Sequence, residues 1–243
     1  MKKFLFVLLA LFAIQLFAAP RGTLCLTFDD QFFANWIKAD ALFKKYDAHV
    51  TFFVHGELNE KCIEAMKTLQ NAGHTVGLHG RRHTRAVDYL KKHGAAAYTA
   101  NEIMTQLKVC RQHGIKIRAF AYPFSQNSAE TDQELFKNFD FLRTSTIRIS
   151  QKGTPLAEID GFFVKNPGKK QLFYGFPASG RFNMDEVKAA LKRAAEENAV
   201  VVFYAHNITP NIRKSHHIAT SQLTQVLEYA KSLGMAIRGL NEL

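Results

Sequence analysis

"GTLCLTFDDQFF", residues 22–33, decides how the rest of the chain is read. Its first seven residues are mostly apolar or β-branched, the pattern of a strand buried on both faces. It stops at two adjacent carboxylates, Asp29 and Asp30. Two like charges at the end of a core strand have two explanations. They cap the helix that begins in "FFANWIKAD", or they belong to a site that absorbs their charge. Spacing alone leaves both open.

Outward from this stretch, strand-like runs alternate with helical ones. Strands are expected at "TLCLTF", "HVTFFV", "HTVGL", "IKIRAFAY", "FDFLRT", "GFFVK", "AVVVFYA" and "GMAIRGL". Between them lie amphipathic segments such as "MDEVKAALKRAAEEN" and "ATSQLTQVLEYAKSLG", with apolar residues three and four apart. Alternation of this kind with continuous apolar strands predicts parallel pairing. About seven or eight units predict an α/β chain folded as a closed or nearly closed (β/α) barrel; a doubly wound open sheet is the alternative.

The first 19 residues have the order of a secretory leader. Lys2 and Lys3 precede a Phe/Leu/Val/Ala run, and small residues follow at Ala18 and Ala19. The run is broken by Gln15 and is short of the about 20 apolar residues that a membrane span needs. A leader over 1–19 implies a secreted or periplasmic protein. Residues 20–243 then form a single domain, since no linker, repeat or low-complexity run divides them. The formal net charge of +11 is carried by scattered Lys and Arg. Without a basic motif interleaved with aromatics, it gives no case for nucleic acid. Cys25, Cys62 and Cys110 make no disulfide framework and are expected as buried thiols.

The unusual polar residues share one position, the carboxyl end of a predicted strand. Asp29 and Asp30 follow the first strand, His79 and His83 follow "TVGL", Tyr122 and Phe124 follow "IRAF", and His206 follows "VVVFYA". In β/α barrels that rim is where active sites are built. Two imidazoles four residues apart and one carboxylate make a three-ligand set suited to zinc. Cobalt or nickel would accept the same ligands. One aspartate suffices as a ligand, which frees its neighbour for proton transfer. With His79 and His83 as ligands, His206 is better placed as a general acid.

Together these residues resemble the polysaccharide deacetylases, the NodB-homology group known as carbohydrate esterase family 4. The family motif T-F-D-D stands here as Thr27-Phe28-Asp29-Asp30. The motif G-H-x-[IV]-G-x-H-[ST]-x-x-H stands as Gly73-His74-Thr75-Val76-Gly77-Leu78-His79-Gly80-Arg81-Arg82-His83. The apolar strand ending in histidine matches "VVVFYAHN" at His206. The resemblance implies a distorted barrel of about seven strands and removal of acetyl groups from an acetylated polysaccharide or oligosaccharide. It implies Asp29 as general base, Asp30, His79 and His83 as metal ligands, and His206 as general acid. The Phe124 N–H would face the oxyanion. The acetyl pocket has no residue assigned by the resemblance, and Phe124, Tyr122 and Phe32 are the candidates for it.

Three departures from the family pattern matter. Aligning F-R-P-P-Y-G with "FAYPFS" puts Ala121 where the family has an arginine beside the catalytic aspartate. Arg143, on the next predicted strand, is the candidate replacement. Gly80 takes the place of the usual Ser/Thr, and the tryptophan-containing motif has no counterpart. Trp36, the only tryptophan, is expected in the core. His216 and His217 are expected on an exposed loop. Two rival functions accompany the deacetylase reading: a glycan-binding protein on a decayed scaffold, and a metal-dependent amidase acting on non-carbohydrate C–N bonds.

Overall fold

The structure, a computed structural model, describes residues 21–145 and 153–243. The leader expected over 1–19 lies outside the described residues. Among the described residues no helix is long and apolar enough to cross a membrane.

The chain runs β1 (Thr23–Asp30), α1 (Phe33–Lys45), β2 (Thr51–Val54), α2 (Glu60–Asn71) and β3 (Thr75–Leu78). A helical stretch follows, comprising α3 (Ala86–His93), α4 (Ala95–Tyr98), a π-helical turn (Thr99–Met104) and α5 (Thr105–Gln112). Then come β4 (Ala119–Ala121), α6 (Ala129–Leu135), β5 (Phe141–Thr144), the short β6 (Phe163–Val164) and β7 (Gln171–Pro177). The remainder is α7 (Met184–Glu196), β8 (Val200–Ala205), the small pair β9 (Asn207–Thr209) and β10 (His217–Ala219), α8 (Thr220–Ser232) and β11 (Ala236–Ile237).

Strands β1, β2, β3, β4, β5, β7 and β8 pair in parallel in that order. β8 then pairs back onto β1, from Thr23 beside Val200 to Phe28 beside Ala205, closing a seven-stranded barrel. Two short strands extend the seams: β11 lies along the start of β1, and β6 runs antiparallel to the start of β8.

Strand alternation divides β1 between two environments. Leu24, Leu26 and Phe28 point out under the helices and join the main apolar core. Cys25 points inward with Phe53, Ala119, Ala121, Phe141, Phe173 and Val202, which fill the barrel. Both faces of the strand are thereby dry, which explains its unbroken apolar sequence. Each buried Leu, Phe or Val among them contributes roughly 1.5–3 kcal/mol.

In α1, Trp36, Ala39 and Phe43 form one buried face, and Trp36 stacks on Phe52 with ring centroids 4.9 Å apart. The N-cap position of α1 is Phe32, and no side chain caps it. The reading of Asp29 and Asp30 as helix caps is therefore overturned: the chain makes a turn between the carboxylates and the helix.

Strand assignment differs from expectation at "GMAIRGL", where only Ala236 and Ile237 form a strand, outside the barrel, at the unexpected β9–β10 pair, and most at the sixth expected strand. "GFFVK" is not a barrel strand; only Phe163 and Val164 pair, antiparallel, at the edge. The barrel position belongs to β7, "QLFYGFP", whose glycine and proline disguise it. Gly175 is inside the barrel, where a Cβ would come within 2.9 Å of the Tyr204 ring and 3.0 Å of the Arg143 side chain. Space for an arginine, not turn geometry, accounts for the glycine. The three cysteines are free and buried. Burial pushes the Cys110 thiol up to about 12, so it is unreactive at neutral pH.

Candidate active site

The carboxyl ends of β1, β3 and β8 and the loops after them surround a cleft of about 390 Å³. Asp29, Asp30, His79, His83, Arg143 and His206 all line it. Residues from 29 to 206 thus meet at one rim because each is the last inward position of a parallel strand or begins the loop beyond it.

Adjacent residues of a regular strand point to opposite sides. The chain escapes this at Asp30, whose φ of +87° lies in the region that side chains seldom adopt. That backbone turn brings the second carboxylate round to the same rim as the first. Asp29 stays on the inward face and is 3 % exposed.

Arg143 comes from the other side of the barrel. In the β4–β5 pair it is the register partner of Ala121. An arginine missing from one strand is present at the same height on the next. Its Nη2 donates to Oδ2 of Asp29, and the guanidinium carbon lies 5.0 Å from the Tyr204 ring and 5.5 Å from the Phe53 ring. Ala121, Gly175 and Gly77 leave the interior volume that this long side chain and Phe53 occupy. Among the described residues Oδ1 of Asp29 has no partner, and it is buried beside the cleft. Burial alone would raise the Asp29 carboxyl, but the charge and hydrogen bond of Arg143, with the neighbouring imidazoles adding to them only when protonated, outweigh it and hold the group below its ordinary value. Asp29 is therefore ionised at neutral pH, with one oxygen committed and one free.

His79 follows β3 directly. Its Nδ1–H donates to the Ala121 carbonyl at 2.8 Å, which leaves Nε2 as the lone-pair nitrogen. Burial pushes the imidazole down to about 3, so it is neutral. His83 is held at φ +53°, which turns its ring back so that Nε2 sits 3.1 Å from Nε2 of His79. Oδ1 of Asp30 is 3.9 Å from His83 Nε2. Donor atoms of Asp30, His79 and His83 all lie within 4.8 Å of one another. Two imidazole nitrogens, one fixed by its outer hydrogen bond, and one carboxylate fit a divalent cation with a coordination position to spare.

Gly80 provides no hydroxyl to brace this loop. Glu102, from the π-helical turn, does the bracing instead. Fully buried, it accepts from the Arg82 backbone N–H at 2.7 Å and from Arg82 Nε at 2.6 Å. Single π-turns often mark functional positions, and here the turn projects a carboxylate under the segment between the two histidines.

His206 follows β8. Its carbonyl accepts from Trp36 Nε1 at 2.8 Å, and its N–H donates to the His216 carbonyl at 3.1 Å. Its Nδ1 is buried without a partner among the described residues. Phe124 is 53 % exposed at φ +54°, with its ring centroid 4.7 Å from that of His83 and the Arg85 guanidinium 4.4 Å above it. Tyr122 sits at the base of the cleft, but its ring is fully buried and its hydroxyl donates to Asp132 at 2.7 Å.

A family model described as polysaccharide deacetylase matches residues 18–138. The chain belongs to the polysaccharide deacetylase family. No curated protein sequence matches this deacetylase-family chain. Solved structures with the same fold include the chitin deacetylase of the fungal pathogen Colletotrichum lindemuthianum, 16 % identical, covering 92 % of this chain and 87 % of that one, with a TM-score of 0.58. A carbohydrate esterase family 4 esterase of Streptococcus mutans is 19 % identical over 90 % and 86 %, TM-score 0.57. The peptidoglycan deacetylase PdaC of Bacillus subtilis is 15 % identical over 91 % and 89 %, TM-score 0.52. These likenesses establish the fold of the deacetylase domain, a seven-stranded (β/α) barrel.

Four residues at or beside the rim escaped the sequence reading. His55 follows β2, with Nε2 3.9 Å from Asp30 Oδ1 and its ring centroid 5.2 Å from that of His83. It obeys the same strand-end rule as the others, so the signal was present. Tyr204 lies within β8 and gave no signal. His216 and His217 were expected to be exposed, and the structure corrects this. His216 lines the cleft with its ring centroid 5.1 Å from that of His206, and His217 is 5 % exposed. The β9–β10 pairing folds their loop back over the rim.

Proposed function

We propose that the chain is a metal-dependent hydrolase that removes acetyl groups, N- or O-linked, from a carbohydrate polymer or oligosaccharide outside the cytoplasm. The observation that carries this reading is the ionised Asp29, clamped by Arg143 on one oxygen and free on the other, beside the Asp30–His79–His83 donor set.

Asp30, His79 and His83 would hold the cation, with zinc favoured by two imidazoles and a carboxylate and cobalt or nickel compatible. Bound there, a divalent ion supplies Lewis acidity toward water and toward an acetyl carbonyl. Asp29 accepts a proton at Oδ1 as water adds to that carbonyl. Arg143 keeps the carboxylate oriented and charged while the proton moves. The Phe124 N–H, at the cleft wall, is the donor for the developing oxyanion. His206 gives a proton to the departing amine or alcohol, and its carbonyl bond to Trp36 holds it at the rim. Acid–base assistance of this kind is worth about 10²–10⁴-fold.

The missing family arginine had favoured a decayed, glycan-binding scaffold. Arg143 beside Asp29 removes that argument. The leader-like segment 1–19 supports export, where acetylated glycans lie. The test is acetate release from chitooligosaccharides, peptidoglycan fragments and acetylated xylan, with and without chelator. Release that stops with chelator and falls about 10²–10⁴-fold in Asp29→Asn supports the proposal. Full activity in Asp29→Asn would refute the mechanism, and release from non-carbohydrate amides alone would favour the amidase alternative.

A further inference from the structure

A second, larger cleft of about 780 Å³ lies on the other side of the loop that carries His216. One wall is Gly180 and Arg181, just after β7. The other is the segment Pro210–Ser215, and the first turn of α8 forms the floor. Three cations line it: Arg181, Arg213 and Lys214. All are exposed, and none pairs with a carboxylate among the described residues. Among the described residues no acid lines the cleft, and none lies in the first turn of α8. That 13-residue helix presents its amino end, with Ser221 and Gln222, to the same space. Helix amino termini carry partial positive charge and free N–H groups. Ile212, 37 % exposed, adds an apolar surface against which a sugar ring can lie.

The cleft is preformed and joined to the candidate active site. The Gly180 N–H donates to the His217 carbonyl at 2.6 Å, and a Cβ on Gly180 would stand 2.5 Å from the Ser215 carbonyl oxygen. The two walls meet backbone to backbone, as only glycine at φ +66° permits. Gln222 Nε2 donates to the Gly180 carbonyl at 3.1 Å. Ser215 lines this cleft, His216 lines the other, and the His216 carbonyl accepts from the His206 N–H. One wall therefore serves both. Some other surface cations are neutralised by acids: Lys44 pairs with Asp40, Arg118 with Asp140, and the half-buried Arg193 with Asp160 and Glu197.

We propose that this second cleft is a subsite for an anionic substituent, a carboxylate or a phosphate, carried by the glycan whose acetyl group is presented at Asp29. The inference rests on the deacetylase reading for the identity of the polymer. The cleft's selectivity for anionic sugars is measured independently of hydrolysis.

The test is binding to full-length Asp29→Asn protein at low ionic strength, followed by calorimetry. The probes are tetragalacturonate, cellotetraose, a phosphorylated oligosaccharide of similar length, and inorganic phosphate. Tetragalacturonate or the phosphorylated sugar should bind about tenfold more tightly than cellotetraose, the gain expected from one or two charge-assisted hydrogen bonds. Which of the two binds more tightly assigns the substituent. The preference should disappear in an Arg181→Gln/Arg213→Gln/Lys214→Gln variant whose melting temperature matches the parent. It should persist in Lys61→Gln/Lys67→Gln/Lys108→Gln, which loses the same charge from distant helices. Equal affinity for charged and neutral sugars would overturn the proposal. So would a preference lost equally in both triple variants, or binding of inorganic phosphate alone. If no acetylated glycan is hydrolysed by the wild-type protein yet the preference holds, the deacetylase reading fails and the anionic subsite stands.

Discussion

Arg143 and Asp29 meet inside the barrel from opposite walls, β5 and β1, and both are almost completely buried. Arg143 is also the β-sheet neighbour of Ala121. The support for the aspartate has thus moved by one strand at constant height. A buried pair of this kind adds little net stability, but losing one member is costly because the other charge is left in a dry interior. Arg143→Met should lower stability by about 3–5 kcal/mol. Asp29→Asn/Arg143→Met should recover most of that loss. Denaturant midpoints for the two single variants and the double variant check this, and a purely additive double variant would contradict the coupling.

Zinc added to chelator-treated protein should raise the melting temperature. At a hundredfold excess over its dissociation constant, a ligand confined to the folded state contributes about 2.7 kcal/mol. His79→Ala and His83→Ala should not respond, whereas Asp29→Asn should. Thermal scans with and without zinc make the comparison, and an equal rise in His79→Ala would show that the ion binds elsewhere.

Gly77 in β3 faces the barrel interior. A Cβ there would lie 2.6 Å from the Phe53 ring and 2.7 Å from the Ala119 carbonyl oxygen. Gly77→Ala should therefore destabilise the fold by about 1–3 kcal/mol, the usual cost of overpacking. Phe53→Leu in the same chain should restore only part, because the contact with the backbone oxygen remains. Calorimetric melting of both variants measures the split.

His74 precedes β3 and has no place in the cleft. Its Nδ1 accepts from the Val50 N–H at 3.3 Å, and its Nε2 lies 3.3 Å from Asp40. Burial holds its pKa below the ordinary 6.5, against the opposing pull of Asp40. Below 6.5 the unfolded chain takes up a proton that the folded chain resists, so stability falls as the pH drops through that value and levels off once the folded-state pKa is passed. Urea midpoints at pH 7.5 and 5.5 should show the decline, and His74→Gln should reduce it.

Much of the site could be read from strand ends. Asp29, His79 and His206 each occupy a position where a continuous apolar run stops, and such runs are visible without a structure. Asp30 is different. Whether it shares a rim with Asp29 depends on one backbone angle, and nothing in the residue type signals φ +87°. β7 was hidden for a packing reason, since its glycine answers to Arg143 and Tyr204, residues remote in sequence. Glu102 and His216 were hidden because their roles come from tertiary contacts. A carboxylate in a helix and a histidine in a polar loop look solvated until the fold buries the one and turns the other inward.

The closing seam between β1 and β8 has a consequence for how the molecule is made. Thr23, almost the first described residue, must find Val200, 177 residues further along the chain (200 − 23). Contacts this distant in sequence make folding slow. During translation β1 leaves the ribosome with one long edge unsatisfied, and it stays so until β8 arrives. Asp29 lies at the end of that seam and His206 follows its last paired residue, so chains truncated before residue 200 should have no residual activity to lose.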